Sequence, residues 1–173
     1  AAIFLVIYVA LRFRKIGGWS AGAMAVAALF HDLLIAFFAF VVFRIPLNDN
    51  FVAVLLSILG YSLNATIVVY DRIRRLMDAK TPLSEIVNVS LNQSFTRTLN
   101  TSICTFLAIG TVAVIALAMN LESIVSFAVP MMFGVLSGFY SSVCLCSPTW
   151  VLWQEHRDKK EALKKAAGKK AKA

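Results

Sequence analysis

Nine residues of this chain carry a side-chain carboxylate, and Asp32 has the least hospitable setting. It stands near the middle of the run Trp19 to Phe43, apolar except for Asp32 itself and the adjacent His31. An acid at the centre of a membrane helix costs roughly 2.5–3.5 kcal/mol to insert, so it must be protonated, paired or turned toward a polar path. Two readings follow. Asp32 is either a proton-path or coupling residue, or a hydrogen-bonded tie that fixes helix packing. His31 need not touch it, because helix neighbours point about 100° apart.

A second polar set lies along the run Phe51 to Tyr70. Ser57, Gly60, Tyr61, Asn64 and, just beyond, Asp71 recur at three- and four-residue spacing and form one stripe. Inside lipid such a stripe is expected to face other helices, with Gly60 at a packing contact. Asn64 can donate and accept hydrogen bonds but carries no titrating proton, and Ala65 can do neither.

A third set, Asn92, Gln93, Thr96 and Asn100, surrounds Arg97 at the start of another apolar run. With Tyr61 these residues suggest a hydrated cavity at the cytoplasmic mouth. Arg97 suits a counter-ion for an intramembrane carboxylate. It equally suits an anchor that snorkels to the interface. Gly134 and Gly138, with Ser137, Ser141 and Ser142 nearby, allow close helix approach.

Cys104, Cys144 and Cys146 lie in apolar runs and read as small packing residues. Cys144 and Cys146 point about 200° apart on a helix, which favours neither a bridge nor a shared metal. No phosphate-binding loop, metal-ligand spacing or nucleophile–base pair is visible. The expectation is a non-enzyme without metal or cofactor.

The elements that must position these residues follow from composition. Sixty per cent of the residues are hydrophobic and 15 % charged, a balance outside the range of soluble domains. The expected fold is an all-α polytopic membrane protein. Its apolar spans are a short run at 1–11, then 19–43, 51–70, 99–121 and 123–153. The first is too short to cross a bilayer and lacks the leader and cleavage site of a signal peptide. It therefore reads as the end of a helix that starts upstream. The last is long enough to tilt, or to bend at Pro130 and near Pro148. Trp19, Trp150 and Trp153 are expected at the headgroup level.

Orientation follows from charge. Of 17 basic residues, all but Arg44 fall on one side, which the distribution of Lys and Arg assigns to the cytoplasm. Residues 71–98 form a cytoplasmic loop and helix, opened by Thr81 as cap and Pro82 at the first helical position. The Lys-rich tail, residues 154–173, reads as a solvated or frayed helix rather than a nucleic-acid or lipid contact. The net charge of +8 sits beside membrane spans, so nucleic acid is not expected as a partner.

Several segments in order resemble the SecF family of protein-export membrane subunits. They are the His31-Asp32 span, the block Gly60 to Arg75 (GYSLNATIVVYDRIRR), the block Asn92 to Ser102 (NQSFTRTLNTS), and Tyr140-Ser141-Ser142 with Ser147-Pro148. The resemblance implies the last five of six helices in a bundle of the resistance-nodulation-division type, located in the inner membrane with a cytoplasmic tail. It implies a SecD-like partner, the SecYEG channel, YajC and YidC as further associates, preprotein as substrate, and proton-motive-force-driven assistance to export. It also assigns a coupling carboxylate to the position after Asn64 and a functional arginine to Arg97. This chain has Ala65 at the first of these positions, and Arg75 where the family usually has glutamate. The alanine is either the protein's own residue, leaving coupling to the partner's carboxylate with Arg97 and Asp32 assisting, or a replacement that uncouples the subunit. The competing readings are a small-molecule or lipid exporter of the same superfamily and a structural membrane scaffold.

Overall fold

The computed structural model describes residues 18–77 and 81–170. The expected short span at 1–11 lies outside them. Within them the chain is a bundle of long helices: α1 (Gly18–Val42), α2 (Asp49–Leu76), α3 (Leu83–Ala118), α4 (Glu122–Tyr140) and α5 (Ser147–Lys170). A π-helical turn, Ser141–Cys146, joins α4 to α5. Four stretches are long and apolar enough to cross a bilayer, the fourth being continuous from Glu122 to Arg157. The protein is thus a multi-pass membrane protein, and the described residues supply four of the five expected spans.

Local chemistry explains the boundaries. Asn48 caps α2, its side chain accepting from the Asn50 N–H at 3.1 Å. Asn50 reaches on to α4, its side-chain amide donating to the Ser126 hydroxyl at 2.7 Å and the Ser123 carbonyl at 2.8 Å. α1 and α3 end alike. Arg44 and Asn120 adopt left-handed backbone (φ 53° and 55°). The amides of Ile45 and Leu121 then return to the carbonyls of Phe40 and Ala116, which satisfies helix-end acceptors in the Schellman manner. α3 begins one residue later than expected. Pro82, not Thr81, is its cap, and no side chain caps it. From there α3 runs unbroken for 36 residues, about 54 Å at the usual rise, well beyond a 30 Å hydrocarbon core. The regular helix of the last span gives way just before Pro148, which has no N–H to donate. Pro130 sits inside α4 without interrupting it.

Packing divides into two apolar clusters with a polar layer between them. Ala21, Ala25, Leu63, Tyr70, Ile73, Cys146 and Trp150 belong to the first cluster. Ala36, Phe40, Val54, Ile58, Met131 and Val135 form the second. Trp150 is fully buried, edge-on to Tyr70 at 5.8 Å and donating to Ser20 at 3.2 Å. It therefore packs the core and does not belong to the interfacial belt expected of it.

Close approach of α4 to α2 depends on glycine. A Cβ at Gly134 would overlap the fully buried Ile58 side chain, and one at Gly138 would come within 3.3 Å of Ser62. Gly60 differs: a Cβ there meets nothing within 4 Å, so it makes no packing contact in this chain. Gly134→Ala is therefore expected to destabilise by roughly 1–3 kcal/mol through overpacking. Gly60→Ala should leave stability unchanged or raise it by up to about 1 kcal/mol. Thermal unfolding of both variants in detergent checks the contrast.

Candidate functional site

Asp32 is fully buried and lies in the polar layer between the two clusters. Small hydroxyl residues on two neighbouring helices surround it. Ser62 of α2 donates to Oδ2 at 2.5 Å and Ser141 to the same oxygen at 2.7 Å. Ser137 of α4 donates to Oδ1 at 2.6 Å. His31 does reach the carboxylate, with Nδ1 3.2 Å from Oδ1. Three hydroxyls and a ring nitrogen thus lie within bonding distance of the two carboxyl oxygens.

The layer continues toward the cluster around Tyr70 and Trp150. Thr66 and Ser142 hydroxyls lie 3.0 Å apart, and the Tyr70 hydroxyl lies 3.1 Å from the Cys146 sulfur. Ser147 donates to the Ser142 carbonyl at 3.3 Å across the π turn. That wide turn brings Ser141 and Ser142 inward together, both fully buried. Two consecutive residues on a regular helix would point about 100° apart.

The sequence pointed to Asp32 but not to its ligands on α2. Ser62, Thr66 and Tyr70 recur every four residues and form the buried polar edge of α2. The stripe expected to face other helices, Ser57, Gly60, Asn64 and Asp71, is half-buried or exposed. Ser57 bonds to its own helix at Ala53. Tyr61 of that stripe crosses to α3, donating to Ser102 at 2.7 Å. The signal available was the demand of Asp32 itself. A buried acid needs donors, and serine or threonine pairs four apart supply them from one helix face.

The expected cavity around Arg97 is only partly assembled. Asn92, Thr96 and Asn100 are exposed on the outer side of α3. Arg97 instead borders two clefts between α2 and α3. One, of about 50 Å³, is lined by Tyr61, Asn64, Ala65, Val68, Thr98 and Thr101 as well. The other, of about 220 Å³, adds Asp71, Arg72, Arg75 and Gln93. Asp71 pairs with Arg75 at 2.9 Å and is not the partner expected for Arg97. Cys146 is buried as expected for a packing residue, whereas Cys104 and Cys144 are exposed. Among the described residues no group of three or more His, Cys, Asp and Glu comes together as a metal site.

The helices and the buried polar layer define a membrane protein with a carboxylate held inside its bundle. The profile of the family described as "Protein export membrane protein SecD/SecF, C-terminal" matches residues 1–156. The chain belongs to this family. It is 35 % identical over 167 residues to the protein translocase subunit SecDF of Bacillus subtilis, covering 94 % of this chain and 22 % of that protein. It is 37 % identical over 161 residues to the SecF subunit of Alicyclobacillus acidocaldarius, covering 92 % of this chain and 51 % of the relative. The chain thus spans about half of that SecF subunit's length. A crystal structure of SecDF in a super-membrane-facing form superposes with a TM-score of 0.79 at 33 % identity, over 94 % of this chain and 21 % of that one.

The hydroxyl cage predicts a graded response at Asp32. Asp32→Ala strands three buried hydroxyls. Transmembrane hydrogen bonds contribute about 0.6–2 kcal/mol each, so the loss should be roughly 2–4 kcal/mol. Asp32→Asn keeps an acceptor and should lose less than half as much. Denaturant titration in micelles distinguishes the two.

Proposed function

We propose that this chain is the membrane part of a SecF-like subunit that assists proton-motive-force-driven preprotein export together with a SecD-like partner and the SecYEG channel. Family membership supports the export role. The observation that carries the proton coupling is the fully buried Asp32 with serine donors from α2 and α4.

Protonating Asp32 turns one of its oxygens from acceptor to donor. One serine hydroxyl must then rotate away or accept. A proton arriving on α1 thereby changes the bonds that tie α1 to α2 and to the π turn of the last span. One elementary charge moved across the field is worth about 2.3 kcal/mol per 100 mV, comparable with two or three such bonds. His31 is partly exposed beside Met24, Ala27 and Thr149 in a surface cleft of about 120 Å³. It offers a relay from that cleft to the carboxylate.

Ala65 supplies no carboxylate where the family usually has one, so Arg97 has no acidic partner in the smaller cleft. Coupling then rests on Asp32 and on a carboxylate from the partner. Polar groups exposed on the apolar surface support such a partner: Asn64, Arg97, Asn100 and Thr101 are all uncovered. YajC and YidC are further associates under this reading, and the basic tail lies in the cytoplasm of an inner membrane.

In the full-length subunit, Asp32→Asn should keep insertion and partner assembly but abolish the proton-gradient-dependent part of export in inverted membrane vesicles. Export that remains gradient-dependent would remove Asp32 from the coupling path. Arg97→Ala should impair export with assembly intact, and Arg97→Lys should restore it only in part, because a point charge lacks the guanidinium fork. Tagged protein should bring down a SecD-like subunit. Recovery of an outer-membrane efflux partner instead would favour a small-molecule exporter. Ala65→Asp should raise gradient-dependent export if the alanine uncouples the subunit, and change it little if the partner's carboxylate suffices.

A further inference from the structure

The larger cleft bordered by Arg97 has a charge imbalance that the export reading does not use. Among the described residues three guanidiniums, those of Arg72, Arg75 and Arg97, share its wall with one carboxylate, Asp71. Asp71 is engaged by Arg75 through both Nε (3.0 Å) and a terminal nitrogen (2.9 Å). Arg72 spans from α2 to α3, its Nε donating to the Gln93 side-chain carbonyl at 2.7 Å. That bond uses only the Nε of Arg72, whose guanidinium has two further nitrogens that can donate. The Arg97 guanidinium has no acceptor among the described residues. Two positive charges are therefore left over around about 220 Å³ of polar space, room for several waters at about 30 Å³ each.

The cleft also has a defined depth. It lies at the C-terminal, basic end of α2 and beside the α3 turn that enters the apolar run. Val68 forms its membrane-side wall. A guanidinium matches two oxygens of a tetrahedral oxyanion at once, and a leaflet rich in anionic lipid presents phosphates at this level.

We propose that Arg72, Arg75 and Arg97 form a binding site for a phosphate group, carried by an anionic phospholipid or by a free phosphoanion. The occupant supplies the counter-charge that position 65 does not. Arg72 and Arg97 carry the two charges left over, and Arg75 contributes by neutralising Asp71, the carboxylate on the same wall.

The test uses the purified chain in neutral detergent micelles doped with phosphatidylglycerol or phosphatidylcholine, with bound lipid counted by native mass spectrometry. Phosphatidylglycerol should be retained about tenfold more than phosphatidylcholine. Arg75→Glu reverses a charge on the wall and releases Asp71, and should lower retention at least tenfold. Arg72→Gln should act in the same direction. Lys159→Glu makes the same charge change on α5, outside the cleft, and should alter retention less than twofold. Melting temperatures of the variants verify folding. Competition by inorganic phosphate in an Arg75-dependent manner assigns the site to free phosphoanions. Arg75-dependent retention without such competition assigns it to lipid. Equal losses from Arg75→Glu and Lys159→Glu would reduce the effect to diffuse surface charge and overturn the proposal. So would equal retention of the two lipids with no binding of phosphate.

Discussion

A carboxylate inside an apolar bundle is the constraint around which the described helices are arranged. Asp32 could be tolerated there only if other helices brought hydroxyls to within bonding distance of both its oxygens. Ser62, Ser137 and Ser141 do so from two directions. Hydroxyls on the shortest side chains reach the carboxylate only if backbones approach closely. The absence of a side chain at Gly134 and Gly138, and the run of alanines along the buried edge of α1, are thus consequences of the same requirement. The small residues that permit close packing and the polar residues that reward it belong to one design.

The π turn follows from that requirement too. A regular helix would hold Ser137 and Ser141 on one face and carry Ser142 away from it. Widening the turn between Ser141 and Cys146 lets Ser142 meet Thr66 while Ser141 keeps Asp32. The Ser142 carbonyl accepts from the Ser147 hydroxyl as well, and Pro148 closes the irregular stretch without leaving an orphan N–H. Such turns inside membrane helices are tolerated where side chains satisfy the released backbone groups. A segment whose hydrogen bonds are already shared between backbone and serine can exchange them at small energetic cost. That is the property required of an element that responds to a proton on Asp32.

Much of the fold was legible because bilayer thickness sets span length. The runs around Asp32, Asn64 and Arg97 were placed on helices from hydropathy alone, and α1 ends within a residue of its expected limit. The π turn was not. Hydropathy cannot see a helix that projects beyond the membrane, but the Thr81-Pro82 start signal can, and the helix expected from there through Asn92 and Arg97 into the apolar run is α3, unbroken from Leu83. Side-chain facing was the weaker part. The stripe through Gly60 and Asn64 has the same spacing as the one through Ser62, Thr66 and Tyr70. Composition does not tell which of two polar faces is inside. Only the position of Asp32 on another helix breaks that tie, and this is a long-range fact. The exposure of Cys104 and Cys144 has the same origin.

The outward polar face carries a final consequence. α3 is the least buried of the four spans, yet its exposed surface includes Arg97, Asn100 and Thr101. Facing acyl chains, an arginine at the start of the apolar run would have to snorkel or draw water in, and asparagine would leave amide groups unsatisfied. A helix bundle with its charge-bearing face turned outward is therefore an incomplete solvent boundary. Either a second helical body or a polar headgroup must finish it. The two clefts on either side of Arg97 divide that work by depth. The small one beside Asn64 and Ala65 has room for little more than a side chain inserted by a neighbour. The larger one beside Arg72 and Arg75 opens toward the interface and suits a hydrated anion. Because one guanidinium borders both, filling either cleft with negative charge must weaken the other's hold on Arg97. Any acid that a partner inserts beside position 65 is thus coupled in energy to whatever anion occupies the mouth.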